Sequence, residues 1–351
     1  MADQAGATKR IRLHPSGQEV AWGEGETALS ALEKAGYALP NNCRAGACGE
    51  CKLRVLEGRF DQGFVLDMAL SPAERALGYG LMCMAKPLSE LLVIDWATPD
   101  ARPKLFPPRE DMPFVVTDKL GRTPRIVELQ LHPLGEPMRF WPGQYVSLAD
   151  AAGAVPKRSY SIACAPRHDG GIALLVTRMA GGENSGWVHG PLRVGETVRL
   201  CGPYGSFVGD PAAATPVLCM SAGSGLAPLL SLAEAALRRG YRQPVTLMFS
   251  APGREDLLAE GTLAYWQARY RNFRYLPTLT RERAAGFAHG RIPGLLPELF
   301  GDLSGFSIFA AGSPAFVADC LAAARRLGAR DPLIHGEGFF DQRAEAGGGF
   351  R

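Results

Sequence analysis

The chain is short of several features that would have placed it at once. Blocks of like charge are missing: 38 Lys and Arg face 35 Asp and Glu over 351 residues, a formal net charge of only +3. So small and dispersed a charge excludes the basic stripe of a nucleic-acid binder. Histidine is scarce, six residues in all, and no group of them has a spacing that suggests metal ligation. No internal repeat is visible, which removes solenoids and propellers. The opening MADQAGATKR carries no apolar stretch, so a reducing cytoplasm is expected rather than secretion. There the eight cysteines serve as thiols rather than as a disulfide framework.

Long apolar runs are nearly absent too. The exception is residues 211–233, which carry no formal charge and are long enough to cross a bilayer. Their middle, SAGSGLAP, holds two glycines and a proline, so the stretch reads as a strand, a loop and a helix, and no membrane partner is expected. What is present is an ordinary globular composition, 46% hydrophobic and 21% charged, in a chain long enough for three domains.

Residues 1–98 hold short β-type runs (RIRLHP, CKLRVLEG, ELLVIDW) and one helical stretch, ETALSALEKAGY. The proline-rich segment that follows, PDARPKLFPPREDMP, predicts a linker over residues 99–112. Five β-type runs divided by Gly and Pro turns fill residues 113–211 and suggest a small antiparallel barrel. From 212 to 340 apolar runs alternate with helical segments, the pattern of a parallel sheet covered on both faces. The tail 341–351, DQRAEAGGGFR, is expected to be disordered.

The densest chemistry lies in NNCRAGACGEC. Cys43, Cys48 and Cys51 form C-x4-C-x2-C, and Cys83 follows 32 residues later. This is the plant-type [2Fe–2S] spacing: four thiolates for two irons, on a backbone that Gly46 and Gly49 allow to turn tightly. Structural zinc more often shows two C-x2-C pairs or a Cys/His mixture. The other cysteines, Cys164, Cys201, Cys219 and Cys320, lie among apolar neighbours and read as core.

In the expected barrel, RSYSIA puts polar and aromatic side chains on an apolar strand. A flat ring stacked on Tyr160, a ring nitrogen met by Ser161 and a pyrophosphate held by Arg158 would explain it; so, equally, would a core tyrosine. PVLCMSAGSGLAPLLSLAEAALRRG reads strand, glycine loop, helix, and presents N–H groups to phosphate, although it is not G-x-G-x-x-G. FAAGSPAF is a second strand-to-helix turn, containing Gly312, able to close the other side of a crevice.

CRAGACGEC with Cys83 resembles plant-type ferredoxins over about residues 8–96, which implies a β-grasp fold. RSYS, GSGLAP, AAGSP and IHGEGFF, in that order behind it, resemble the ferredoxin–NAD(P)H reductase superfamily. More narrowly, the whole chain resembles reductase components of bacterial oxygenases, which join ferredoxin, FAD and NADH domains. The fold so implied is α+β and α/β multidomain: a β-grasp ferredoxin, an antiparallel β-barrel flavin domain and a parallel α/β nucleotide-binding domain.

At matching positions the resemblance implies cluster ligands Cys43, Cys48, Cys51 and Cys83. It implies flavin binding by Arg158, Tyr160 and Ser161, with Ser161 near N5, and by Gly182 and Ser185. Gly223, Ser224 and Gly225 match the nicotinamide-dinucleotide loop, and Gly312 and Pro314 its C-G-x-P turn. Phe339 matches an aromatic that covers the flavin, and Glu337 the acid before it, which joins Tyr160 and Ser161 as a candidate catalytic group. Two departures stand out: Ala311 occupies the place of the family's cysteine, and Ser221-Ala222 a place where Gly-Gly is common.

A nicotinamide gives up two electrons as hydride, whereas a [2Fe–2S] cluster takes one at a time, and a flavin can divide the pair. The resemblance therefore implies flow from NADH to FAD to [2Fe–2S], and then to a terminal oxygenase or P450 component. A reductase for a sugar deoxygenation system, or a passive ferredoxin-type carrier, are the competing readings. In SAPGREDLL, Arg254 suits the 2′-phosphate of NADPH, while Glu255 or Asp256 suits the hydroxyl of NADH or simply opens a helix. NADH is favoured, and a monomer is expected. His335 reads as structural. Over residues 1–98, 10 Lys and Arg against 12 Asp and Glu give a net of −2, so the ferredoxin module would be steered toward basic partners.

Overall fold

The computed structural model describes residues 9–41, 43–96, 104–210 and 212–339. The expected tail, 341–351, and residues 99–103 of the expected linker lie outside them. The chain clusters into two compact units, residues 1–108 with 204–206, and residues 109–203 with 207–351.

In the first unit the elements run β1 Lys9–His14, β2 Glu19–Trp22, α1 Ala28–Lys34, β3 Lys52–Glu57, β4 Phe60–Asp61, α2 Pro72–Ala76, β5 Tyr79–Leu81, β6 Lys86–Pro87 and β7 Leu91–Asp95. Five strands form one sheet in the order β2-β1-β7-β3-β5, with β1 parallel to β7, while β4 pairs with β6. Alternation along β1 turns Ile11 and Leu13 into the core, where Leu29 and Leu32 of α1 meet them, and leaves Arg10 and Arg12 to pair outside with Glu19. Thr27 starts α1 by accepting the N–H of Ser30 at 3.2 Å. α2 begins with Pro72 behind a reciprocal Ser71–Glu74 capping box. This is the expected β-grasp arrangement of a sheet with a helix across one face.

The second unit opens with β8 Arg109–Thr123, β9 Ile126–Pro133, β10 Tyr145–Asp150, β11 Arg158–Ser161, β12 Ile172–Thr177, α3 Glu183–His189 and β13 Thr197–Tyr204. Their sheet runs β11-β10-β13-β8-β9-β12, and a bridge between Ile162 and Leu174 joins its two edges. A sheet closed in this way is the barrel expected for these residues.

The chain continues through β14 Val217–Ala222, a single turn Gly223–Gly225, α4 Leu226–Arg238, β15 Val245–Ala251, α5 Glu260–Arg269, β16 Phe273–Leu279, β17 Ala288–His289, α6 Ile292–Leu299, β18 Ser307–Gly312, α7 Pro314–Arg326 and β19 Ile334–Gly338. All six strands are parallel, in the order β17-β16-β15-β14-β18-β19. Cys219, Leu247 and Phe249 face α4, while Leu218, Met220 and Met248 face α6 and α7. Both faces are thus dry, which is why these strands read as unbroken apolar runs. The uncharged stretch is β14, the turn and the first half of α4, and no helix among the described residues is long and apolar enough to cross a membrane. Cys164, Cys201, Cys219 and Cys320 are buried, and burial pushes the Cys219 and Cys320 thiols up to about 12, so they are core thiols.

Candidate electron-transfer sites

In the first unit the loop between α1 and β3 carries three of the four predicted ligands. Gly46 and Gly49 have φ of +75° and +78°, and a Cβ on Gly46 would lie 3.0 Å from Val65 and 3.1 Å from Met84. Only glycine satisfies both the turn and the packing. The turn aims the N–H groups of Ala47 and Cys48 at the sulfur of Cys43, each at 3.3 Å, and the Cys83 N–H lies 3.4 Å from the sulfur of Cys51.

The thiols are arranged two and two. Shared hydrogen bonds couple Cys43 to Cys48 and Cys51 to Cys83. The Cys48 thiol and backbone N–H donors lower Cys43 to about 5 against the opposing effect of burial, and Cys48 is correspondingly raised. Cys51 is lowered by Cys83 in the same way, and Cys83 raised. Two dithiol pairs ringed by N–H donors fit a two-iron cluster better than one zinc ion.

One contact in this loop escaped the sequence reading. Arg44, at φ +56°, places its guanidinium 2.6 and 2.8 Å from the two carboxylate oxygens of Glu33, which is 3% exposed and also receives the Asn41 side chain at 3.3 Å. Burial raises the Glu33 pKa despite the pull of Arg44. A glutamate on the buried side of α1 was the available signal, because such a charge needs a partner.

In the second unit Tyr160 and Ser161 lie at the edge of the barrel on β11. The Tyr160 hydroxyl donates to Asn184 at 2.7 Å, and Asn184, itself buried, donates to the carbonyls of Leu148 and Pro156. Ser185 accepts the N–H of Met179 at 3.1 Å and donates to Gly182, fixing the GGENS turn. Among the described residues the Arg158 guanidinium donates only to the Lys157 carbonyl, at 2.8 Å, so most of its N–H groups remain for a ligand. Asn184 was missed because its part is to tie two strands together, which no local pattern records.

The Ser161 hydroxyl donates to Glu337 at 3.2 Å across 176 residues of sequence. Glu337 is 6% exposed, and burial pushes its carboxyl up to about 8, so it is largely protonated at neutral pH. β14, β18 and β19 stand side by side, with Ser221 opposite Ala311 and Ala311 opposite Glu337. The C-terminal ends of these strands carry the two predicted nucleotide turns. Gly225 packs so closely that a Cβ would lie 2.2 Å from the Ala311 carbonyl oxygen. Gly312 ends β18, Pro314 opens α7, and the Phe339 N–H donates to the Gly312 carbonyl at 2.7 Å. The structure therefore brings Gly223, Ser224, Gly225, Gly312, Pro314, Glu337 and Phe339 to one edge of the sheet. Of the two departures, Ala311 and Ser221 are wholly enclosed, whereas Ala222 is partly exposed. Glu255 and Asp256 lie in a short turn, Asp256 accepting the Gly253 N–H, whereas α5 starts at Glu260, so these acids open no long helix. His335 stacks on Phe309 with ring centroids 4.5 Å apart, as a structural histidine would.

A dithiol-paired loop, a barrel edge with a buried acid, and glycine turns over a parallel sheet define a flavin and iron–sulfur oxidoreductase using NAD(P)H. Comparison with known proteins agrees. Residues 11–88 match the 2Fe-2S iron-sulfur cluster binding domain, 112–208 the oxidoreductase FAD-binding domain and 219–321 the oxidoreductase NAD-binding domain. The reductase subunit of an aromatic O-demethylase from an Amycolatopsis species is 34% identical over 329 residues, covering 92% of this chain and 96% of that one. The reductase component of phenol 2-monooxygenase from a Pseudomonas species is 35% identical over 272 residues, covering 77% and 76%. The crystal structure of the Amycolatopsis cytochrome P450 reductase GcoB superposes with a TM-score of 0.85 at 32% identity, over 95% of this chain and 99% of that one. The chain belongs to the family of oxygenase reductase components that fuse a plant-type ferredoxin to a ferredoxin–NAD(P)H reductase-like module. Its cofactors are a [2Fe–2S] cluster, FAD and a nicotinamide dinucleotide.

Proposed function

We propose that the chain takes electron pairs from NADH and delivers them singly, by way of FAD and [2Fe–2S], to a terminal oxygenase of the ring-hydroxylating, monooxygenase or P450 kind. FAD, when bound, supplies the exchange between hydride and single electrons. Cys43 and Cys48 hold one iron, and Cys51 and Cys83 the other. Arg158, with the Gly182–Ser185 turn, binds the flavin pyrophosphate, Tyr160 orients the ring system, and Phe339 covers it. Gly223, Ser224, Gly225, Gly312 and Pro314 bind NADH at the ends of β14 and β18.

Glu337 and Ser161 hold a proton beside the flavin edge. A carboxyl raised to about 8 is mostly protonated at pH 7 and has Ser161 as its hydrogen-bonding neighbour, an arrangement suited to proton transfer. The working limits we assign are a ferredoxin domain over 1–98, a linker over 99–112, a flavin barrel over 113–211 and a nucleotide domain over 212–340, in a cytoplasmic monomer.

The observation that carries this reading is the coexistence in one chain of a two-and-two thiol set with a buried acid bonded to the flavin strand. Anaerobic titration of the holoprotein with NADH tests it. Flavin and cluster absorbance should both bleach, and oxygenase turnover should start on adding the cognate terminal component. Bleaching of the flavin with a cluster that stays oxidised would sink the proposed path.

A further inference from the structure

Ser224 is placed by a residue from outside the nucleotide module. Thr177, the last residue of β12 in the barrel, donates its hydroxyl to the Ser224 hydroxyl at 2.8 Å. Resting on the reading of Gly223–Gly225 as the dinucleotide loop, we infer that Thr177 is a positioning residue for the nicotinamide dinucleotide. It orients Ser224 so that the serine proton points at a phosphate oxygen.

Three observations support this. First, Thr177 is a rigid donor: residues 172–176 of β12 are buried, the strand is registered on β9 with Thr177 opposite Ile126, and a β-branched side chain has few rotamers. Second, a hydroxyl that accepts from Thr177 keeps its own proton to donate, and among the described residues no acceptor takes the proton of Ser224. Third, the loop has little freedom elsewhere. Gly225 is packed against the Ala311 carbonyl, and α4 is bound to the barrel by Ser231 donating to the Cys164 carbonyl at 2.6 Å and by Glu234 accepting the Ala165 N–H at 2.7 Å. The rotamer of Ser224 is the freedom that remains, and Thr177 removes it.

The test uses the holoprotein with ferricyanide as acceptor. In Thr177→Val the KM for NADH and the Kd for NAD+ should each rise about 3- to 10-fold, as expected for one lost hydrogen bond. kcat should hold within about twofold and FAD content should stay unchanged, because the interaction serves binding alone. Thr177→Ser should restore both constants, and Thr177→Ala replaces the valine variant if that one fails to fold. Ser224→Ala should show a similar rise, and adding Thr177→Val to it should bring no further loss. If Ser224→Ala weakens binding while the Thr177 variants do not, the positioning role falls and the nucleotide site stands. If Ser224→Ala leaves binding intact, the loop assignment falls and the inference with it. Lost FAD with an unmoved KM would place Thr177 in the flavin site and overturn the inference.

Discussion

The cluster loop and the flavin–nucleotide edge reach their chemistry by opposite routes. Around the cluster, three ligands lie within nine residues, the same loop supplies the N–H donors, and two glycines set its turn. At the flavin–nucleotide edge the partners come from distant segments: Ser161 meets Glu337 across 176 residues, and Thr177 meets Ser224 across 47. A locally assembled site survives small shifts of its surroundings, whereas one assembled from several elements depends on packing far from the chemistry.

The contrast can be broken at either end. The largest effect should come from Cys83→Ser, which removes the one ligand outside the loop. The cluster's visible absorbance and electron paramagnetic resonance signal should vanish and cytochrome c reduction be abolished, while NADH still reduces ferricyanide. Loss of the ferricyanide activity as well would mean that the two regions are not separable.

Next in size is Gly225→Ala. A methyl group 2.2 Å from the Ala311 oxygen must displace the turn or the strand, with a stability loss of about 2–3 kcal/mol. NADH binding should weaken by more than about tenfold while the cluster spectrum is untouched. An unchanged KM would show that the close approach is incidental.

Glu33→Ala probes how self-sufficient the cluster loop is. Removing the carboxylate partner of Arg44, which stays partly exposed, should destabilise the first unit by about 2 kcal/mol. Cluster bleaching in urea should therefore move to lower denaturant, with flavin release unaffected. Coincident transitions for the two chromophores, in this variant and in the parent protein, would contradict independent behaviour.

The smallest effect concerns pH. Burial raises the Glu337 carboxyl from 4.5 to about 8, so the folded state binds the proton more tightly than the unfolded one. Its contribution to stability is complete below pH 4.5 and is lost progressively as pH rises toward about 8. Between pH 6 and 8 the parent should lose up to about 2 kcal/mol that Glu337→Gln does not lose, measured by urea unfolding at both pH values. Parallel pH profiles would remove the raised carboxyl from the argument.

Much of this was legible in the residues. The spacing of Cys43, Cys48, Cys51 and Cys83, the apolar runs of β14, β15 and β18, and the turn chemistry of Gly46 and Gly49 are short-range facts. Other parts were not. Glu33 looked like any helix acid until Arg44 met it, and Asn184 sat unnoticed in GGENS because its partners are the carbonyls of Leu148 and Pro156, 36 and 28 residues away in sequence. Thr177 was simply the end of an apolar run.

By itself the sequence determined which groups are available: four thiols at a two-iron spacing, an R-x-Y-S strand and two glycine turns, in an order that names the modules. Chemistry within one loop follows from chain geometry, since neighbours a few residues apart cannot avoid each other. Only the tertiary structure decided which distant groups meet, and so raised Glu337 by enclosing it and joined Thr177 to Ser224. Burial and strand register are properties of the packed whole, and no local stretch of residues carries them.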